Sequence, residues 1–123
     1  MSNEDSARAF SGHRFEEAIE HLADDVVWNL VGEGRLEGRS AVIGACRATA
    51  AEIEDTTTTW LRFVSTGEGD FIAVDAIGRY EDNDGVTAVS SCDIYEFAGG
   101  KIRTITSYAV EVDPDTPYTA ASS

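Results

Sequence analysis

The segment SSCDIYEFAGGKI, residues 90–102, is the part of the chain that decides the fold. Small and apolar residues predominate up to Phe97, and Gly99 and Gly100 then provide the turn of a β-hairpin. One carboxylate, Asp93, lies inside this strand. An unpaired buried charge is costly, so Asp93 is expected to be neutral, hydrogen-bonded or exposed to a water-filled cavity. Each state indicates chemistry or ligand binding, and the alternative is an Asp on a solvated strand face.

Length and charge limit the classes of protein to which the chain can belong. Its 123 residues are enough for one domain with one hydrophobic core. The 23 acidic and 9 basic residues give a formal net charge of −14. Because nucleic acids and anionic membranes are bound by basic surfaces, this charge excludes both as expected partners.

The remaining composition predicts a cytoplasmic protein without cofactors. The cysteines, Cys46 and Cys92, are far apart and belong to no metal-binding or redox motif, so we expect free thiols. The sequence contains no secretory signal pattern and no apolar run long enough to span a membrane. It also shows no cofactor-binding fingerprint and no cluster of metal ligands.

The first half of the chain predicts helices around one strand. A first helix is expected over Asn3–Ser11, with acidic residues in its first turn. A second helix is indicated by apolar residues with helical spacing, which are Phe15, Ala18, Ile19 and Leu22. A strand over Val26–Val31 and a turn over Gly32–Gly34 follow. A third helix begins near Ser40, and one face of it carries Val42, Cys46, Thr49 and Ile53.

The second half predicts an antiparallel meander, so the fold class is α+β. Its four strands cover approximately Thr57–Thr66, Asp70–Tyr80, Val86–Phe97 and Lys101–Val112. The turns between them are rich in Gly, Asn and Asp. We expect a single domain with its core over residues 4–113 and a mobile, Pro-interrupted tail over residues 114–123.

The predicted strand Asp70–Tyr80 is apolar on both faces. A domain of this size can cover only one face of a sheet with its own helices. The second apolar face therefore predicts a homodimer that forms through the outer face of the sheet, with Thr106, Tyr108 and Val110 near the centre of the interface.

The order of elements, together with two motifs, resembles the nuclear transport factor 2-like (NTF2-like) superfamily and its SnoaL-like and ketosteroid-isomerase-like members. The first motif is Phe15–Arg39, which contains LADDVVW and LEGR, and the second is Asp93–Ile102, followed by Ser107 and Tyr108. The resemblance covers nearly the whole chain. It implies a cone-shaped, curved antiparallel sheet wrapped around the N-terminal helices, with a ligand cavity inside the cone.

The resemblance also implies candidate site residues. Asp93 falls where ketosteroid isomerases carry the acid of the oxyanion hole, and Asp75 falls approximately where limonene-epoxide-hydrolase-like members carry a catalytic Asp. Trp28 is expected on the cavity wall, where those hydrolases have a Tyr. Strand alternation adds further residues to the expected cavity lining, namely Phe71, Ala73, Ile77, Val89, Ser91, Ile105, Ser107 and Ala109.

The chain departs from both catalytic patterns at Leu30. Ketosteroid isomerases hold the general base at this position, and epoxide hydrolases hold a water-positioning Asn there, so neither mechanism transfers intact. Leu30 remains an expected lining residue. Asp75 and Asp93, expected on the same cavity face, are then the best available catalytic pair, with Asp75 as the base and Asp93 as the acid, although the roles can be exchanged. His13 is a weaker candidate for a base at the cavity mouth.

Three functional classes agree with these features. The first is a cofactor-independent acid/base enzyme acting on a hydrophobic, cyclic substrate, such as a cyclase, isomerase, dehydratase or epoxide hydrolase. The second is a non-catalytic protein that binds a hydrophobic small molecule. The third is a dimerising interaction module whose cone is filled by its own side chains. The position of the two carboxylates relative to a cavity discriminates among the three.

Overall fold

A computed structural model describes residues 1–115 of the chain, and these residues contain three helices and six strands. The helices are α1 (Asn3–Ser11), α2 (Phe15–Ile19) and α3 (Arg39–Glu52). The strands are β1 (Leu22–Leu30), β2 (Gly34–Glu37), β3 (Thr57–Glu68), β4 (Phe71–Asp82), β5 (Gly85–Ala98) and β6 (Lys101–Val112).

The six strands form one curved, open sheet in the order β2-β1-β6-β5-β4-β3. The last four strands form the predicted meander, in which each strand pairs antiparallel with the next. β1 joins this meander by pairing parallel with β6, so the sheet is not entirely antiparallel. The α+β class and the cone architecture are confirmed.

The hydrophobic core lies between the helices and the inner face of the sheet. α1 begins with a capping box in which the Ser2 hydroxyl accepts from the Asp5 amide and the Asp5 carboxylate accepts from the Ser2 amide. This helix buries Ala7 and Phe10. α3 buries Val42 and Cys46. The sheet contributes further buried side chains, including Leu22, Val26, Ile72, Val74, Tyr95, Phe97, Ile102 and Ile105.

Two local predictions for the first half are corrected. Leu22 does not belong to the second helix, because α2 ends at Ile19 and Leu22 opens β1 opposite Ile102. Gly34, predicted to belong to a turn, instead begins the edge strand β2, which covers Gly34–Glu37. Only four residues long and mostly exposed, β2 lacks the apolar alternation that reveals longer strands.

The predicted tail extends to residue 123, and its part from residue 116 onward lies outside the described residues. No helix within residues 1–115 has the length and apolar character needed to cross a membrane.

Candidate active site

A cavity of about 690 Å³ opens where the α1–α2 connection, the C-terminal end of α3 and the β4–β5 hairpin meet the inner face of the sheet. This volume lies in the range of small-molecule sites. Its lining comprises Phe10, Ser11, His13, Phe15, Trp28, Leu30, Thr49, Glu52, Ile53, Thr56, Trp60, Tyr80, Asp82, Asp84, Gly85, Val86, Thr87, Val89, Ser91, Asp93, Ser107 and Ala109. Apolar and aromatic groups therefore contribute most of the lining surface, although about half of the lining residues carry polar or charged side chains.

Asp93 is held on this wall by a hydrogen-bond network. The Ser11 hydroxyl, at the end of α1, donates to Asp93 Oδ2 at 2.7 Å. The Ser107 hydroxyl, directly opposite Asp93 on β6, donates to Oδ1 at 2.6 Å. Behind these two serines, Tyr95 Oη lies 2.6 Å from Ser11 Oγ, and Trp28 Nε1 donates to Ser107 Oγ at 2.9 Å.

The hydrogens in this network all point toward Asp93. A serine hydroxyl has one hydrogen, so Ser11, which donates to Asp93, must accept from Tyr95. The indole of Trp28 can only donate, which leaves the Ser107 hydrogen for the second carboxylate oxygen. Both oxygens of Asp93 thus accept, which is the arrangement that holds a carboxylate in a fixed orientation.

Opposing effects act on the proton affinity of Asp93. Burial raises the pKa of Asp93 above its ordinary value of 3.8, because a charge is less well solvated there. The hydrogen bonds from Ser107 and Ser11 and the charge of His13 act in the opposite direction and are smaller in effect. Asp93 therefore binds a proton more tightly than an exposed Asp while remaining supported as a carboxylate.

His13 lies in an aromatic cluster on the same cavity. Its imidazole stacks on Phe15 and on Tyr80, with centroid distances of 5.5 and 6.0 Å, and lies 5.4 Å from Trp60. Burial lowers the pKa of His13 below 6.5, which favours the neutral ring. The backbone of His13 has a left-handed φ of +65°, an unusual conformation for a residue with a side chain.

Tyr80 contributes a hydroxyl to the cavity wall. Burial raises the pKa of Tyr80 above 10.0, with a smaller contribution from the charge of Asp93, so the phenol keeps its proton. Gly78 makes room for this ring, because a Cβ at Gly78 would lie only 2.6 Å from Tyr80 Oη and 3.0 Å from the Trp60 ring. Tyr80 and neutral His13 are therefore uncharged groups on the cavity wall that can donate hydrogen bonds to a ligand.

Several residues expected in the cavity lie on its wall. Asp93 is one of them, and the others are Trp28, Leu30, Val89, Ser91, Ser107 and Ala109. They belong to β1, β5 and β6, and in these strands the alternation of side chains in the sequence predicted the face that points toward the helices. His13, expected at the mouth, also lines the cavity.

The expectation that Asp75 shares a face with Asp93 is wrong. In β4, Val74 is directly opposite Asp93, and Asp75 is opposite Cys92. Successive side chains of a strand point to opposite faces, so Asp75 lies on the outer face. There it forms an ion pair with Arg62 at 2.9 Å, and its side chain is 48% exposed. The two carboxylates are on opposite sides of the sheet and cannot act on one substrate.

Other β4 residues that were expected in the lining also lie on the outer face, with Asp75. Phe71, Ala73 and Ile77 alternate with Asp75 and do not line the cavity, and Phe71 is 62% exposed. Ile105 is a different case. It does face the helices, but it is fully buried in the hydrophobic core opposite Tyr95 and does not reach the cavity.

Ser11, Tyr95 and Tyr80 are members of the site that were not predicted from the sequence. Tyr95 could have been found, because it lies two residues after Asp93 on the same strand face. Tyr80 could have been found once β4 was assigned the opposite face. Ser11 carries no local signal, since its bond to Asp93 spans 82 positions and depends on how α1 packs against the sheet.

Comparisons with known proteins agree with this architecture. The family model of the SnoaL-like domain matches residues 4–105. No curated protein is significantly similar in sequence to the chain. An NTF2-like protein of unknown function from Cytophaga hutchinsonii superposes with a TM-score of 0.76 at 29% identity, over 87% of this chain and 98% of that one.

Two further solved structures share the fold at lower identity. An LEH-like epoxide hydrolase of M. tuberculosis has a TM-score of 0.68 at 16% identity, and the match covers 88% of this chain and 82% of that one. A protein from Catenulispora acidiphila with a ketosteroid isomerase-like fold, in complex with trimethylamine, has a TM-score of 0.63 at 21% identity, over 83% of this chain and 79% of that one. The chain therefore belongs to the SnoaL-like family of the NTF2-like superfamily.

Proposed function

We propose that the chain is a cofactor-independent acid/base enzyme in which Asp93 takes up and returns a proton on a hydrophobic, cyclic substrate. The observation that carries this proposal is the fixed carboxylate of Asp93 on the wall of a largely apolar cavity. Burial raises its pKa, and a raised pKa brings the proton affinity of a base closer to the operating pH, which favours proton transfer. The predicted cytoplasmic location stays part of the proposal.

The arrangement favours a proton shuttle, the type of step used by isomerases and cyclases. In an enone, Asp93 removes a proton from the carbon next to the carbonyl, the C–H electron pair forms a new C=C bond, and the carbonyl π pair moves to the oxygen. The protonated Asp93 then returns the proton at the far carbon of the resulting dienolate. One carboxylate suffices for both transfers. The Tyr80 hydroxyl and the neutral imidazole of His13 can donate hydrogen bonds to the developing oxygen charge.

An epoxide hydrolase mechanism fits the cavity less well. Asp75, the expected hydrolase base, lies on the outer face of the sheet. Leu30 lines the cavity, and the resemblance implies that epoxide hydrolases have a water-orienting amide at this position. A dehydratase requires one group to remove a proton and another to protonate the departing hydroxyl, and these roles would fall to Asp93 and Tyr80 or His13.

A substrate screen tests the proposal together with a variant that fills the cavity. Cyclic enones, polyketide-like aromatics and epoxides are incubated with the protein, and turnover and melting temperature are recorded. A ligand at a hundredfold excess over its Kd stabilises the folded state by about 2.7 kcal/mol, so binding raises the melting temperature. Turnover of at least one carbonyl compound supports the enzyme.

We expect Ala109→Trp to abolish both turnover and the ligand-induced rise in melting temperature, because the indole occupies the space of the substrate. Ala98→Trp is the matched control, because Ala98 is exposed and does not line this cavity. If hydrophobic ligands stabilise the protein but none is turned over, the non-catalytic binding function replaces the enzyme hypothesis. Absence of both leaves the dimerising interaction module.

The outer face of the sheet carries the proposed homodimer interface. Large apolar side chains are exposed there on neighbouring strands, namely Phe71, Ile94, Tyr108 and Val110. Several large apolar side chains exposed on one face of a sheet are typical of an interface. We expect sedimentation velocity at micromolar concentration to show a dimer, and we expect Val110→Asp to shift it to a monomer because a charge at the interface would be desolvated. A wild-type protein that sediments as a monomer contradicts the dimer.

A further inference from the structure

The charged groups around the cavity are all of one sign. Glu52, Asp82, Asp84 and Asp93 are among its lining residues. Within residues 1–115 no Lys or Arg lines the cavity, and residues 116–123 contain neither type in their sequence. Among residues 1–115, His13 is the one basic side chain on the cavity wall, and burial lowers its pKa. The cavity therefore repels an anionic ligand more strongly than an uncharged apolar site does.

The three outer carboxylates lie at the cavity mouth and have no counter-ion. Glu52 ends α3, while Asp82 and Asp84 lie at the β4–β5 turn, where Asp82 accepts from the Asp84 amide. None of the three forms an ion pair with another of the described residues, and Arg79, at the end of the same hairpin, is paired with Glu81. Their negative potential is therefore available to a ligand.

The end of α3 adds to this potential. Thr49, Glu52 and Ile53, from its last turn and C-cap, line the cavity. The C-terminus of a helix carries partial negative charge on its free carbonyls, which favours cations within the last turn. α3 has no basic residue in that turn, so its own sequence does not neutralise this charge.

Aromatic rings complete the lining beside these charges. Trp60 and Tyr80 line the cavity with their ring centroids 6.5 Å apart, and His13 and Phe15 belong to the same cluster. Organic cations are bound by the faces of such rings. The buried Nδ1 of His13 has no hydrogen-bond partner among residues 1–115, so His13 brings no additional positive partner to these carboxylates.

From these observations we infer that the cavity takes a hydrophobic molecule that carries a cationic nitrogen, an ammonium or quaternary amine, held at the mouth between Glu52, Asp82, Asp84 and the Trp60–Tyr80 rings. The inference rests on the proposed function, whose substrate class it narrows. An organic cation fits better than a metal ion, because the described residues contain no group of three His, Cys, Asp or Glu side chains arranged to hold a metal.

A matched pair of probes tests the charge alone. 3-Hydroxyphenyltrimethylammonium and 3-tert-butylphenol have nearly the same shape and differ in the positive charge. Titration calorimetry at pH 7 and low ionic strength is expected to show about tenfold tighter binding of the cation, which corresponds to about 1.4 kcal/mol and lies within the range of cation–π and surface charge effects. Because the carboxylates at the mouth are exposed, this preference is expected to fall at high salt.

Two triple variants separate a local effect from the overall charge. Removing the charges at the mouth with Glu52→Gln, Asp82→Asn and Asp84→Asn is expected to abolish the preference for the cation without weakening the binding of the neutral phenol. The control removes three exposed charges that do not line this cavity, with Asp24→Asn, Asp25→Asn and Glu33→Gln. It is expected to keep most of the preference, although both variants change the net charge equally.

The outcomes distinguish the inference from the function on which it rests. Equal binding of the two probes, or tighter binding of the neutral phenol, overturns the cationic ligand and leaves the hydrophobic cavity intact. A preference lost equally in both triple variants also overturns it, because the effect is then one of net charge. Binding of neither probe contradicts the inference and the proposed hydrophobic site together.

Discussion

Asp93→Asn is expected to lower kcat about 10²–10⁴-fold on any substrate that the protein turns over, which is the usual contribution of a general acid/base group. Asn has the shape of Asp but cannot accept and return a proton. Its Oδ1 can still accept a hydrogen bond from Ser107 or Ser11, and its amide can donate to the other serine, so the cavity is expected to keep its form. The measurement is steady-state kinetics with both proteins, supported by circular dichroism.

Asp75→Asn is the matched control for this prediction. The same substitution on the opposite face of the sheet removes the partly exposed partner of Arg62. Such ion pairs contribute about 0–1 kcal/mol to stability. We expect turnover to remain at the wild-type level, because Asp75 cannot reach the cavity. Turnover that survives Asp93→Asn, or that is lost equally in Asp75→Asn, contradicts the assignment of Asp93 as the proton carrier.

The pH dependence of the wild-type protein follows from the same carboxylate. Asp93 acts as a base only when ionised, so kcat/KM is expected to rise with pH, with an apparent pKa above the ordinary value of 3.8. This limb of the profile is expected to be absent in Asp93→Asn. An NMR titration of the Asp93 carboxyl carbon gives the same pKa without a substrate.

Stability is expected to change in the opposite direction to activity. Burial raises the folded-state pKa of Asp93, so its contribution to stability is fully present below about pH 3.8 and is lost as the pH rises through the folded pKa. At pH 7 the wild-type protein therefore carries the penalty of a buried charge, which Asn does not. Asp93→Asn is expected to melt at the same or a higher temperature at pH 7, and its advantage is expected to shrink toward pH 4.

Most of the fold could be predicted from the sequence because its signals are local. The Gly-rich turns fixed the number and order of the meander strands, and the alternation in β5 and β6 placed Ser91, Asp93 and Ser107 on the inner face. The edge strand β2 and the end of α2 could not be predicted in this way. Their assignment depends on pairing with β1, which joins residues that lie apart in the chain.

Asp75 was assigned to the cavity through the resemblance, and the sequence left the register of the β4–β5 hairpin, which decides its face, open. The sequence Asn83-Asp84-Gly85 is compatible with a two-residue or a three-residue loop, and both are common in hairpins. The structure has the two-residue loop, with Asp82 paired to Gly85, so Asp75 pairs with Cys92. A three-residue loop would have placed Asp75 opposite Asp93. A slip of one residue moves a whole strand to the other face, and local residues did not determine which loop forms.

Ile105→Ala is expected to cost about 2–5 kcal/mol of unfolding free energy, the usual effect of truncating a fully buried Ile. Ile105 has no exposed surface and packs within the core, where it pairs with Trp28 on β1 and with Tyr95 on β5. Loss of its side chain removes buried apolar surface and leaves a void. The neighbouring side chains belong to paired strands, so they cannot move far enough to fill it. Chemical denaturation measures the loss as a lower midpoint with an unchanged slope.

The control for this prediction is Val31→Ala, which truncates another β-branched side chain where it is 49% exposed, and we expect it to change stability by no more than about 0.5 kcal/mol. Because Ile105 does not line the cavity, the folded Ile105→Ala protein is expected to bind hydrophobic ligands with wild-type affinity, measured well below its unfolding midpoint. The strand alternation alone allowed Ile105 to be either a lining residue or a core residue. A small loss of stability combined with weaker ligand binding would show that Ile105 lines the cavity, because truncating a core residue lowers stability whereas truncating a lining residue removes ligand contacts.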